Sequence, residues 1–200
     1  GIEPLVATVT AAGGALRTAA AAGDTSAALA ALDRHRLLCA HRHGPFGVTR
    51  WSAEAERWLV EAVRGYGEDG EWYLGRPLLV TVNDYDVNLF NGDTGVVLAT
   101  DGGVRAAFAR GGDPMLISPA RLDAVQTTHA MTVHRAQGSQ FETVSFVLPP
   151  PDSPLLTREL LYTAVTRASH RVQVFGSEEA VRRAVRRPAN RASGLRGRLR

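Results

Sequence analysis

Short apolar runs alternate with stripes of helical spacing toward both ends of this chain, and a turn-rich block interrupts them in the middle. That order constrains the fold more than any single motif does. Strand, helix and strand in succession call for a parallel sheet, because parallel neighbours need a crossover and the crossover helix covers the sheet. From Ser26 to Arg34 the residues Ala28, Leu29 and Leu32 have helical spacing, and Leu37 to Ala40 reads as a short buried strand. The loop His41 to Val48 holds Gly44-Pro45 and Gly47 as breakers, and Ser52 is placed to cap a helix bearing Ala55, Trp58, Leu59, Ala62 and Val63. Beyond the middle block the pattern resumes with a strand near Thr127 to Met131, a short helix from Val133 and a strand Val144 to Leu148. A helix from about Thr157 to Ala168 and a strand Val172 to Phe175 complete it.

The middle block, residues 75–123, has a different character. Leu78 to Val82 is rich in β-formers, Asn91-Gly92-Asp93 and Asp101-Gly102-Gly103 are turn signals, and Gly95 to Thr100 with Val104 to Phe108 flank the second turn as a hairpin. The block therefore reads as a small all-β unit inserted into an α/β domain of residues 26–74 and 124–180. Residues 1–25, rich in Ala, Gly and Thr, read as a connector or a helical remnant, and a chain opening on Gly reads as a piece of a longer polypeptide.

Composition adds one exclusion and one qualification. All 23 basic residues are arginine and none is lysine. A P-loop hydrolase needs the lysine of G-x-x-x-x-G-K-[ST] on its phosphates, so this chain cannot be a complete P-loop ATPase by itself. The net charge of +3 suggests nucleic acid, yet residues 181–200 hold eight arginines and no acid, which leaves 15 arginines against 20 acids in the rest, a net of −5. Basicity thus belongs to an arginine-rich tail, which a solvated terminus also explains. The lone cysteine, Cys39, sits in an apolar run and reads as a buried small hydrophobe. No apolar run reaches the roughly 18 residues of a membrane span and no signal peptide is visible, so the expected location is the cytoplasm, with no membrane partner. His41 and His43 stand at H-x-H spacing without a cysteine or acid cluster, so no metal site is expected.

Two segments carry more polar specificity than a core requires. Thr132-Val133-His134-Arg135-Ala136-Gln137-Gly138-Ser139-Gln140-Phe141 follows one strand and precedes another, where open α/β sheets bind ligands. A hydroxyl, an imidazole and free backbone amides can meet phosphate there, and Gly138 lets the backbone approach closely. In Arg158 to Ala168, the residues Leu160, Leu161, Ala164, Val165 and Ala168 form the stripe expected to be buried, leaving Glu159, Tyr162, Thr163, Thr166 and Arg167 on the other side. Arg167 offers a planar fork suited to phosphate; the plainer reading is a surface ion pair with Glu159 or Asp152.

The phrase A-M-T-V-H-R-A-Q-G-S-Q-F resembles motif V of superfamily 1 helicases, and R-E-L-L-Y-T-A-V-T-R-A resembles their motif VI. The strongest resemblance is to the RecD family, the α subunit of exodeoxyribonuclease V. It extends over G-R-P-L-L-V-T-V-N-D-Y, L-F-N-G-D-T-G-V-V-L, L-L-C-A-H-R-H-G-P-F-G-V and R-A-S-G-L-R-G-R-L, about residues 30–200. The resemblance implies a RecA-like parallel sheet covered by helices, the second of two motor domains, with the β block as an SH3-like insertion. It implies ATP and Mg²⁺, bound mainly by an N-terminal RecA-like ATPase domain not contained in this sequence, and a 5′ to 3′ DNA helicase working in recombination and double-strand break repair, with RecB- and RecC-type subunits as partners. By motif match Arg167 is the arginine finger and Arg42 the motif IV arginine. Gly138, Ser139 and Gln140 approach the nucleotide, while Thr132, His134, Asn83 and Tyr162 contact single-stranded DNA.

Gln140 stands where most relatives carry a ribose-binding glutamate; glutamine still accepts through its amide oxygen. H-R-A-Q stands where relatives often have H-K-S-Q, which keeps the charge. Asn83, Asp84 and Tyr85 read either as DNA contacts or as a turn, and Trp72 and Tyr73 either stack on bases or pack. No nuclease constellation of acids is visible. The competing reading is a non-catalytic nucleic-acid-binding or subunit-docking module with a helicase-like fold; an upstream G-x-x-x-x-G-K-[ST] sequence separates the two.

Overall fold

The computed structural model describes residues 1–189. Four parallel strands form one sheet in the order β7 (Ala130–Thr132), β1 (His35–Cys39), β8 (Phe141–Val147), β9 (Ala168–Phe175). Helices α1 (Glu3–Ala21) and α3 (Val48–Ala62) cover one face, and α4 (Arg158–Val165) and α5 (Glu178–Arg186) cover the other. Alternation along β1 accounts for both: Leu37 and Cys39 point to the first core, Leu38 and Ala40 to the second. This is the α/β architecture that the strand–helix order predicts.

A second, antiparallel sheet of five strands runs in the order β5 (Met115–Ile117), β4 (Gly103–Phe108), β3 (Thr94–Thr100), β2 (Pro77–Val80), β6 (Val125–Thr127). One of its faces has its own core around Leu78, Val97 and Phe108. Its other face meets α1 and the short α2 (Thr25–Leu32) through Leu16, Ala20, Ala28, Val96, Leu98 and Ala107. Between its strands, Gly95 faces the Ala107 carbonyl and the Phe108 ring so closely that a Cβ would stand 2.6 Å from each.

Several local expectations are corrected. Of the two readings of residues 1–25, connector and helical remnant, the structure has a 19-residue helix whose Leu5, Val9, Leu16 and Ala20 are buried. The single strand expected near Thr127 to Met131 is two: β6 pairs with β2, and after two residues β7 pairs with β1. No helix follows Val133; residues 133–138 are turns. Helix α3 starts at Val48 behind Gly47, so Ser52 lies inside it rather than capping it. Tyr73 is buried and Trp72 packs on the antiparallel sheet beneath the Arg76 guanidinium, 4.9 Å from the ring, so neither presents a free stacking face. In the arginine-rich run, residues up to Arg186 belong to α5, whose Ala180 and Ala184 are buried; the run from residue 190 onward, including R-A-S-G-L-R-G-R-L, lies outside the described residues. Cys39 is buried, and burial pushes its thiol up to about 12. No helix among the described residues is long and apolar enough to cross a membrane.

A polar thread ties the parallel sheet to α1. Ser145 Oγ donates to Gln173 Oε1 at 2.9 Å and lies 2.9 Å from His35 Nε2, while Thr8 Oγ1 reaches the same Gln173 oxygen at 3.1 Å. Because the serine proton is given to Gln173, His35 is best satisfied as the neutral Nε2–H tautomer donating to Ser145. Burial, with the Arg36 charge beside it, lowers the His35 pKa from 6.5 to about 4. The unfolded chain therefore takes up the proton first, so this contribution to stability is complete above about pH 6.5 and is lost as the pH falls toward 4. The melting temperature should drop across that window, and His35→Gln should flatten the drop while lowering stability at neutral pH. An identical pH profile for the variant would exclude His35 as its source.

Candidate nucleotide and nucleic-acid interface

Strands β7, β1, β8 and β9 all point the same way, so the sheet has a carboxyl-terminal edge and an amino-terminal edge. The segment 132–140 links them, leaving β7 at the first edge and entering β8 at the second. Its turns are fastened by Val133 N–H to the Cys39 carbonyl at 3.0 Å and by Ala136 N–H to the Thr132 carbonyl at 3.2 Å, with the Val133 and Ala136 side chains buried. Thr132 Oγ1 accepts from the Arg135 amide at 3.3 Å, which leaves its hydroxyl proton available to another acceptor. Gly138 has φ +88, and a Cβ there would meet nothing within 4 Å, so the backbone is open to a ligand on that side.

At the amino-terminal edge, Arg167 follows the Thr166 cap of α4 and directly precedes β9. Thr157 caps this helix by accepting from the Leu160 amide at 3.2 Å, and Leu160 and Ala164 bury its inner face. The expected stripe is narrower than read, since Val165 is 38% exposed where the helix ends. The Arg167 guanidinium donates to the Thr163 carbonyl at 3.2 Å, the Ser139 carbonyl at 3.1 Å and Thr166 Oγ1 at 3.3 Å. Among the described residues no acid pairs with it, so the plainer reading of a surface ion pair with Glu159 or Asp152 is not what the structure has. Among the described residues three of its five N–H groups find acceptors and two do not. Gly138, Ser139, Gln140 and Arg167 thus share one edge.

Arg42 does not join them. It follows β1 at the carboxyl-terminal edge, a strand's length away from Arg167, roughly 15–20 Å at the usual rise per residue. Arg42 and Arg167 therefore emerge at opposite edges of the parallel sheet. Arg42 instead lines a cavity of about 350 Å³ with His43, Thr49, Thr81, Thr132 and Arg135, between the parallel sheet's edge and the antiparallel sheet. Thr49, Thr81 and Arg135 went unassigned in the sequence; the one signal was Arg135 within H-R-A-Q.

His134 faces a second cavity of about 450 Å³ on the other side of the turn, with Gln137, Thr157, Glu159, Thr163 and Arg187. Glu159 there accepts from the Ala189 amide at 2.6 Å. Tyr162 is 70% exposed on α4 and lines neither cavity. Asn83 Oδ1 accepts from the Asn91 amide at 2.8 Å and so braces a turn. His41 Nε2 lies 3.0 Å from Ser153 Oγ and His43 Nδ1 lies 3.2 Å from Thr49 Oγ1. Among the described residues no group of His, Cys, Asp or Glu is arranged to hold a metal.

The profile of the UvrD-like helicase C-terminal domain matches residues 127–175, which span both segments. The RecBCD enzyme subunit RecD of Mycolicibacterium smegmatis is 57% identical over 187 residues, covering 92% of this chain and 33% of that protein. RecD of Haemophilus influenzae is 36% identical over 80% of this chain and 24% of its own length, and the ATP-dependent RecD2 DNA helicase of Deinococcus radiodurans is 36% identical over 72% and 20%. The chain therefore spans about a third or less of the relatives it matches. Among solved structures, Bacteroides Pif1 bound to ssDNA aligns over 73% of this chain and 42% of that chain at TM-score 0.44 and 14% identity, a likeness too slight to argue from. With both helicase segments in register and RecD relatives aligned over most of its length, the chain belongs to the RecD family of superfamily 1 helicases and corresponds to their C-terminal region.

Proposed function

We propose that this region is the carboxyl-terminal motor half of a RecD-type, ATP-dependent 5′ to 3′ DNA helicase acting in recombination and double-strand break repair, with RecB- and RecC-type subunits as partners. The observation that carries the reading is the Arg167 contact to the Ser139 carbonyl, which joins motifs V and VI at one edge while Thr132 and His134 occupy the other. ATP with Mg²⁺, held mainly by a first motor domain on a sequence segment outside this chain, supplies the phosphoryl group. The residues present fit that ligand: Arg167 keeps two unspent N–H donors, and the open backbone at Gly138 stands beside them. Arg167 would stabilise charge developing on the γ-phosphate, and Gln140 would accept from the sugar. At the far edge Thr132, Arg42 and Arg135 would hold the DNA backbone, with His134 across the turn, and the antiparallel sheet, expected as an SH3-like insertion, would roof the DNA path. Closure on the nucleotide would pull residues 138–140 and so shift the contacts at 132–135.

In the complete polypeptide Arg167→Ala should lower DNA-stimulated ATP turnover by about 10³-fold or more, while single-strand affinity measured without nucleotide stays near that of the parent. Unchanged turnover would remove the finger assignment. Arg42→Ala should instead reduce the slope of log affinity against log salt by about 0.7, the loss of one phosphate contact on a single strand. A turnover defect as deep as that of Arg167→Ala, with the slope unchanged, would return Arg42 to the nucleotide. The 200 residues alone should hydrolyse ATP negligibly in a phosphate-release assay, and robust turnover would overturn the proposed division of labour.

A further inference from the structure

The segment between β2 and β3 displays an aromatic pair that the core does not use. Tyr85 is 77% exposed and Phe90 42% exposed, and their ring centroids lie 6.1 Å apart in edge-to-face contact. The segment is held firmly. Asp84 and Leu89 exchange backbone hydrogen bonds at 2.7 and 2.8 Å, and Asp84 Oδ1 accepts from the amides of Asp86 and Val87. The Phe90 amide donates to the Asp93 carboxylate at 2.8 Å, and Arg110 binds that carboxylate at 2.9 Å and the Asn88 carbonyl at 2.6 Å. Val87 and Leu89 are buried beneath. Two rings kept in water on a braced turn form an apolar surface that folding alone does not account for.

Their surroundings point to an occupant. Asn83 Nδ2 donates to Tyr85 Oη at 3.4 Å, Asn83 Oδ1 accepts from the Asn91 amide, and Arg135 donates to Asn91 Oδ1 at 3.4 Å. A chain of polar contacts therefore runs from the Tyr85 ring to Arg135, in the groove that also holds Arg42 and Thr132. We propose that Tyr85 and Phe90 form a stacking platform for one nucleobase of the single strand whose phosphates lie along that groove. The proposal rests on the DNA-tracking function above and adds the part of the nucleotide that cationic residues do not recognise. Charge complementarity brings phosphates to Arg42 and Arg135, and a base leaving those phosphates toward the antiparallel sheet meets the π-faces of the pair. Stacking of this kind tolerates any sequence, because every base has such a face. It suits a protein that moves along DNA.

The test uses the complete polypeptide and fluorescently labelled oligothymidylate, with an abasic strand of the same length as the second probe. Tyr85→Ala should weaken binding to oligothymidylate by about 5- to 150-fold, Tyr85→Trp should retain it, and the salt slope should stay unchanged. On the abasic strand, Tyr85→Ala and the parent should bind alike, whereas Thr132→Ala should weaken binding to both strands. No loss on oligothymidylate, or an equal loss on both strands, overturns the platform and leaves the DNA-tracking function standing. A parent protein that binds neither strand removes both.

Discussion

Parallel strands oblige the chain to travel the full length of the sheet before re-entering it, and in most α/β units a helix makes that return. Between β7 and β8 this protein makes it in eight residues of turns, with Val133 and Ala136 pressed into the core below. The return is short. Thr132 and His134 are therefore connected to Gly138 and Gln140 by a few residues of hydrogen-bonded turn, and Arg167 grips its far end through the Ser139 carbonyl. The two edges of the sheet, one facing the proposed nucleotide and one the proposed DNA, are mechanically a single object.

Without lysine, arginine also performs interior tasks. Arg76 is nearly buried at the seam between β2 and β6, over the Trp72 ring, donating to Thr127 Oγ1 at 2.8 Å and to the Glu71 carbonyl at 2.9 Å. Arg36 is buried over the Phe141 ring at 4.7 Å, and burial lowers its pKa to about 10. A guanidinium suits such places because it is planar, stacks on rings and is weakly hydrated, where an ammonium group would lose more on leaving water. The two seams it occupies are those where the antiparallel sheet joins the parallel one and where β8 begins.

The parallel sheet was legible because strand, helix and turn signals agreed, and motifs V and VI were legible because their polar residues are dense and ordered. The misreadings have local physical causes. Residues 1–25 left connector and helical remnant both open because alanine and glycine give a weak stripe, yet small side chains are what allow α1 to lie close against its neighbours: Gly13 faces the Leu59 side chain so closely that a Cβ there would clash. The division between β6 and β7 was invisible because a β-rich run does not reveal that its two halves pair with different sheets. That Arg42 and Arg167 leave the sheet at opposite edges was invisible because sequence order carries no information about which edge of a sheet a loop emerges from. The groove around Thr49, Thr81 and Arg135 joins residues far apart in the chain, and no spacing rule brings them together.

Helix α1 presents Leu5 and Val9 to the parallel sheet and Leu16 and Ala20 to the antiparallel one. It acts as a rivet through both layers. The roof and floor of the Arg42 groove consequently cannot swing apart without tearing two cores at once, so the groove's width is fixed by the fold in the way the bore of a machined part is. A strand lying there, as proposed, would meet a channel of set width rather than a pair of jaws.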